Sequence, residues 1–310
     1  HWKSTPHLAM WEPDSGRVLK VTDSLLPWGG LIGKGLHALT HNPHTYEPQE
    51  KPLADRDIYL TDLTNGQRKL LLQQQDGSDF HLMGSPDGHF VIYLRDKDWH
   101  SYNIATGLHM NLTKGMEFSP SIGSMPGEKP AYGIGGWCPE DSSVLLYDEY
   151  DVWRFSAYGS QSERLTKGRE SGKVFRIVPY QEHQKATIAN RTMTMGAYDL
   201  NDKLLLSARA SDYSKNGYYL WERGKGTREI AYTAKSTKNI RKAKDSDIFV
   251  WTEEDYGTPI RLMAKTSKSR NKIVYSSNKQ QSDFLQGRME GVQYLTPKGT
   301  KLRGLIYYPA

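Results

Sequence analysis

A unit of strand, glycine turn and strand recurs along this 310-residue sequence. Its clearest copy runs Asp98-Trp99-His100-Ser101-Tyr102-Asn103-Ile104-Ala105-Thr106-Gly107 and closes with Leu108-His109-Met110-Asn111-Leu112-Thr113. The same grammar appears at His7-Leu8-Ala9-Met10-Trp11, Ser15-Gly16 and Val21-Thr22, with the turn glycine again six residues before the closing threonine. Asp57 to Leu63 turns at Asn65-Gly66, a strong hairpin signal, into Arg68 to Leu72. Further copies are Asp151 to Phe155, closing at Leu165-Thr166, and Tyr218 to Trp221, closing at Ile230 to Thr233. A weaker copy runs from Pro259-Ile260 to Val274-Tyr275.

A second strand pair precedes each hairpin. Gly84-Ser85-Pro86-Asp87-Gly88 leads into Phe90-Val91-Ile92-Tyr93. Cys138-Pro139-Glu140-Asp141, Asp199-Leu200-Asn201-Asp202 and Lys244-Asp245-Ser246-Asp247 hold the equivalent place elsewhere. Four strands thus repeat at a spacing of about 40–65 residues, and four-stranded units of about 40–50 residues arranged radially make a propeller. The expected fold is all-β: a β-propeller with five complete blades near 25–72, 73–113, 114–167, 168–234 and 235–278, and the last hairpin of another at 1–24. The opening half blade leads us to expect further strands upstream of His1 in the parent protein. The 19 Tyr, 8 Trp, 28 Gly and 15 Pro suit short strands and turns. Long apolar helical periodicity is missing from the sequence.

Composition excludes several functional classes. The 41 Lys+Arg against 35 Asp+Glu leave a net charge of +6, far from a nucleic-acid-coating polycation. No apolar run approaches the ~18 residues of a membrane span. One cysteine, Cys138, permits neither an internal disulfide nor a cysteine-based zinc site, and reads as a small buried residue. His37, His41 and His44 include an i, i+4 pair, but Pro43 interrupts a helix there and no carboxylate completes a metal set, so the segment reads as a polar loop. Likewise, the insertion from His41 to Arg56 reads as a surface loop. Gly33-Lys34-Gly35-Leu36-His37-Ala38 fits G-x-G-x-x-A without a βαβ unit, and Gly30 to Lys34 lacks the remaining P-loop residues. Both read as turns. Lys235, Lys238, Arg241, Lys242, Lys244, Lys265, Lys268, Arg270 and Lys272 read as a solvated face, Glu253-Glu254-Asp255 as an exposed turn, and Trp99, Trp153 and Trp221 as packing between blades. Catalytic, cofactor-binding and metal-binding residues are accordingly expected to be none.

After Tyr275 the pattern breaks at a polar stretch and resumes as a different hairpin, Gly291-Val292-Gln293-Tyr294-Leu295-Thr296-Pro297-Lys298-Gly299-Thr300-Lys301-Leu302-Arg303-Gly304-Leu305-Ile306-Tyr307-Tyr308-Pro309. This hairpin resembles the segment by which peptidases of the prolyl oligopeptidase family pass from their β-propeller into the α/β-hydrolase domain. Ser85-Pro86-Asp87-Gly88 and Asp148-Glu149-Tyr150-Asp151-Val152-Trp153 look like blade motifs of the same family. The resemblance implies a propeller over 1–278, a linker over 279–290 and the start of a hydrolase domain over 291–310. It further implies a parent serine peptidase, peptide substrates, gating by the propeller, packing against the hydrolase domain and a periplasmic or secreted location. A Gly-x-Ser-x-Gly elbow would carry the family's nucleophile. Gly123-Ser124-Met125-Pro126-Gly127 sets its serine one place early, so the Ser-Asp-His chemistry is expected outside this chain. The alternative is a stand-alone propeller binding a protein or glycan. A glycosidase propeller would require paired carboxylates across a pocket.

Overall fold

In the computed structural model of the protein the described residues are 6–49, 51, 53–120, 131–189, 192–266, 269–284 and 287–310. Gly123 to Gly127 and Lys268 lie outside them. The chain divides into two compact units, residues 1–206 with 221–227, and residues 207–220 with 228–310.

The first unit opens with the hairpin β1 (Ala9–Trp11) and β2 (Val18–Lys20). The first blade follows as β3 (Trp28–Leu31), β4 (His37–His41), β5 (Arg56–Asp62) and β6 (Arg68–Gln75), paired in sequence order. The second is β7 (Leu82–Gly84), β8 (Phe90–Arg95), β9 (Asp98–Asn103) and β10 (His109–Asn111). The third is β11 (Ile134–Trp137), β12 (Ser143–Tyr147), β13 (Val152–Ser156) and β14 (Ser162–Arg164). After β15 (Lys173–Ile177) come two short strands, β16 (Thr187–Ala189) and β17 (Thr192–Thr194). The fourth blade is then completed by β18 (Leu204–Ala210), β19 (Asn216–Glu222) and β20 (Gly226–Thr233). In the second unit, β21 (Ser236–Lys242), β22 (Ile248–Asp255), β23 (Thr258–Thr266) and β24 (Lys272–Ser276) form a fifth four-stranded sheet. A separate hairpin pairs β25 (Arg288–Leu295) with β26 (Lys301–Tyr308). β25 begins within the stretch read from sequence as linker.

Blade packing explains why the second strands read as unbroken apolar runs. On β8, Phe90, Ile92 and Leu94 enter the core shared with Trp137, Val144 and Leu146 of the third blade. Val91 and Tyr93, pointing the other way, join Ile32, Leu39 and Ile58 of the first blade. Successive side chains on a strand face opposite sides, so a strand sandwiched between two blades must be apolar at every position. Trp99 is fully buried in the core between the second and third blades. Trp221, also buried, donates its Nε1–H to the Leu165 carbonyl at 2.7 Å. The half-buried Trp153 donates to Asp148 at 3.1 Å.

The closing threonine of the repeat has a physical job. Thr22, Thr113 and Thr166 are all buried, and each accepts, through Oγ1, the backbone N–H fourteen residues upstream: Leu8 at 2.7 Å, Trp99 at 2.8 Å and Val152 at 3.1 Å. The side chain thereby satisfies a donor that the short outer strand leaves unpaired. The turn glycines Gly16, Gly66, Gly107 and Gly159 sit at φ between 68° and 77°, where a Cβ would be strained.

Between the first two blades lies an aromatic cluster. Tyr93 stacks on His100 at 5.1 Å and its hydroxyl meets His109 Nδ1 at 2.9 Å. Burial depresses both histidines. Arg95 works in the same direction on both and Lys69 on His109, while Asp98 and Asp96 pull His100 the other way. His109 sits on an exposed outer strand, so solvent tempers its share and His100 carries more. Well above the unfolded pKa of about 6.5 the rings are neutral in both states. Below it the unfolded chain takes up protons that the folded chain refuses, so stability falls with pH until the folded rings titrate. Urea midpoints are expected to drop between pH 7.5 and 5.5, and to drop less in His100→Gln. An unchanged pH response in that variant would contradict this assignment.

Candidate functional site

The described residues of 178–203, between β15 and β18, form an arm that leaves the fourth blade and lies against the first strands of the other three. β17 pairs in parallel with β7, Met193 opposite Met83 and Thr194 opposite Gly84, which turns the second blade into a six-stranded sheet ending at β16. β17 also packs on β3. Trp137 of β11 donates its N–H to the Gly196 carbonyl at 3.0 Å and accepts from the Tyr198 N–H at 2.7 Å. First strands of three consecutive blades therefore converge on one segment, which places the arm at the axial side of the blades.

On β11 a glycine makes this approach possible. β3, β7 and β11 read Trp28-Gly29-Gly30-Leu31, Leu82-Met83-Gly84 and Ile134-Gly135-Gly136-Trp137. A Cβ on Gly136, at φ 142°, would stand 2.5 Å from the Tyr198 ring and 2.9 Å from the Gly196 carbonyl. The arm is also closed on itself. Ala197 donates to His183 at 3.0 Å, and the 2% exposed Tyr198 gives its hydroxyl to the Gln184 carbonyl at 3.1 Å. Gln184 is buried, and its Oε1 accepts the N–H groups of Tyr180 and Gln181 at 3.1 and 3.2 Å. Met193 enters the core beside Met83 and Trp137, whereas Ile188 on the outer strand is 66% exposed.

The acidic residues beside the arm hold turns. Asp141, fully buried in the third blade, accepts Ser85 Oγ at 2.5 Å and the N–H groups of Asp87 and His89 at 3.1 Å each, with His89 Nδ1 at 3.4 Å. Ser85 Oγ in turn accepts the Phe90 N–H at 2.9 Å. The Ser85-Pro86-Asp87-Gly88 motif is thus the seat for a carboxylate from the next blade. In Asp148 to Trp153, Asp148 accepts from the Tyr150 N–H at 2.8 Å and from Trp153. Asp151 accepts from Thr166 Oγ1 at 2.6 Å and from the Gly168 N–H. Ser85, His89 and Asp141 bring together the residue types of a hydrolytic triad. The serine is buried and engaged on both sides, so the set is a clamp between blades.

The other sequence candidates are placed as follows. His41 is buried on β4, edge-on to Trp28, with Nε2 at 3.0 Å from Arg56 Nη1. No group of three or more potential metal ligands exists among the described residues. A Cβ on Gly33 would stand 2.3 Å from the Pro86 carbonyl, so this turn is filled by the next blade and offers no phosphate cradle. Glu253, Glu254 and Asp255 lie inside β22, not in a turn after it. Asp255 pairs with Lys235, and Glu254 with Lys238 at 2.9 Å. Lys265 donates to the Ile230 carbonyl at 2.7 Å, so much of the basic face is held by its own neighbours. Cys138 is buried, and desolvation pushes its thiol up to about 11, which keeps it protonated and unreactive at neutral pH. No described helix is long and apolar enough to cross a membrane.

No protein-family model matches the sequence, and no curated protein matches it significantly. Solved structures do. A dipeptidyl aminopeptidase IV candidate from Bacteroides ovatus is 13% identical over 96% of this chain and 51% of its own, with a TM-score of 0.53. Dipeptidyl peptidase 4 of Porphyromonas gingivalis is 9% identical over 89% of this chain and 50% of its own, with a TM-score of 0.39. TolB of Acinetobacter baumannii is 11% identical over 98% and 76%, with a TM-score of 0.35. The chain spans about half the length of both peptidases. Likeness to the Bacteroides protein establishes the fold, a β-propeller of four-stranded blades that resembles the propeller portion of such a peptidase.

Proposed function

We propose that this chain is the non-catalytic β-propeller portion of a serine peptidase of the prolyl oligopeptidase type, exported to the periplasm or secreted, and that it gates peptide access to a hydrolase domain. In this reading 1–278 is the propeller, 279–290 the linker and 291–310 the first hairpin of the hydrolase domain. The observation that carries it is the fold likeness to the Bacteroides protein over 96% of this chain and 51% of that one.

Two features of the chain support it. The β25–β26 hairpin has apolar side chains on both faces: Met289, Leu295, Leu305 and Tyr307 on one, Tyr294, Leu302 and Ile306 on the other, all exposed. Such a surface suits strands covered on both sides by a further domain. Meanwhile the arm narrows the axial side of three blades, so an extended peptide passes it more readily than a folded chain. The reaction itself, attack by an activated serine to give an acyl-enzyme, belongs to the hydrolase domain. A fluorophosphonate probe is expected to label a longer protein extended downstream through that domain, together with hydrolysis of chromogenic peptides, and to leave the present chain unlabelled. An unlabelled, inactive longer protein would overturn the proposal in favour of a binding propeller.

A further inference from the structure

Next to the arm, the turns of the third and fourth blades line an open surface pocket of about 410 Å³, within the range of small-ligand sites, roughly 300–1,000 Å³. Its wall carries two guanidinium groups, Arg154 and Arg223, and two carboxylates, Glu140 and Asp199. These come from four separate places: Glu140 from the β11–β12 turn, Arg154 from β13, Arg223 from the β19–β20 turn and Asp199 from the end of the arm.

The charges are largely unspent. Among the described residues no hydrogen bond or ion pair engages the Arg223 guanidinium or the Glu140 carboxylate, and Arg154 has a loose contact with Glu163 at 3.6 Å. Asp199 receives the Asn201 N–H on Oδ1 at 2.8 Å and keeps its second oxygen open. Arg154, Arg223 and Asp199 all lie close enough to Cys138 to act on its thiol, the two arginines in one direction and the carboxylate in the other. Glu140 is also set in place. Its backbone is held at φ 58° and that of Asp141 at 53°, a left-handed pair that costs free energy and is kept by the buried Asp141 clamp. A simple anion would meet Glu140 and Asp199, and a simple cation would meet the two arginines. A ligand carrying both charges satisfies all four groups.

We propose that this pocket binds a zwitterion, a free amino acid or a short peptide with unblocked ends, its carboxylate on Arg154 and Arg223 and its ammonium on Glu140 and Asp199. The proposal does not depend on the peptidase reading, since the pocket is complete in this chain. Calorimetric titration of the chain with the dipeptide Ala-Ala, its N-acetyl form and its C-terminal amide tests it. Ala-Ala is expected to bind, and blocking either end to weaken binding about ten-fold, the loss of one charge-assisted contact. Arg223→Ala and Glu140→Gln change exposed side chains, leave the fold intact, and are expected to weaken Ala-Ala to a similar degree. The proposal is overturned if Ala-Ala fails to bind at tens of millimolar, if the blocked peptides bind equally well, or if both variants bind like the parent.

Discussion

Asp141→Ala is expected to lower the unfolding free energy by about 3–5 kcal/mol, the cost of breaking a buried charged network and leaving its donors unpaired. The Asp141 carboxylate holds the second blade's turn through a buried bond from Ser85 Oγ and part-buried bonds from the backbone N–H groups of Asp87 and His89. Alanine leaves the buried Ser85 hydroxyl without its acceptor, strips the two N–H groups of theirs and opens the seam between two blades. Asp141→Asn keeps one acceptor oxygen and turns an amide N–H₂ towards donors, so an intermediate loss is expected. His89 is mostly exposed, and His89→Ala should cost well under ~1 kcal/mol, because its solvated contact adds little. Urea unfolding of the three variants checks the order. A loss below ~1 kcal/mol for Asp141→Ala would show that the clamp is not what joins the blades.

Gly196→Ala should unseat the arm. A Cβ there would stand 2.2 Å from the Gln184 carbonyl carbon and 2.4 Å from the His183 oxygen, both backbone atoms that cannot swing aside. Relief requires parting the two ends of the arm, and with them the Trp137 bridge. Overpacking of this kind costs about 1–3 kcal/mol. Charged against local opening, that is about a ten- to hundred-fold rise in the open population. Cys138, next to Trp137, is the chain's one thiol and is buried at the wall of the pocket that Asp199 of the arm also lines, so a change in its labelling by a disulfide reagent reports movement of the arm. Faster labelling is the expected result, together with a global unfolding free energy lowered by the same ~1–3 kcal/mol, because the unfolded chain releases the strain as well. A labelling rate equal to the parent's would mean that the arm is not the cover over that thiol.

The blades were legible because each carries its own punctuation. Asn65-Gly66, Thr106-Gly107 and the closing Thr113 and Thr166 act through contacts close in sequence, and the apolar runs of β8 and β12 follow from packing on both faces. Trp99 and Trp221 are buried, but the repeat does not hold the tryptophans at one position: Val152 donates to its closing threonine as Trp99 does, and Trp153 stands one residue further along its strand. The arm was not legible. Its strands Thr187–Ala189 and Thr192–Thr194 are too short to show a period, and β17 pairs in parallel with a strand more than a hundred residues away. Asp199 to Asp202 was read as the turn of an ordinary strand pair, whereas the strand beside β18 in the sheet is β15. Two signals pointed to the arm: the fourth unit, 168–234, is the longest, and Gly136 interrupts β11 where the arm's backbone approaches. The pocket depends on four segments brought together by the fold, and no spacing in the chain encodes it.

In the proposed function this propeller governs which peptides reach a catalytic domain. The most direct measurement compares hydrolysis of a short and a long peptide by the longer protein, with and without Gly196→Ala. If the arm sets the limit, the variant raises the rate for the long peptide relative to the short one by about ten-fold, in step with Cys138 labelling. If Cys138 labelling shows the arm lifted while the ratio of the two rates stays at the parent's value, the propeller does not gate by this route and the claim fails.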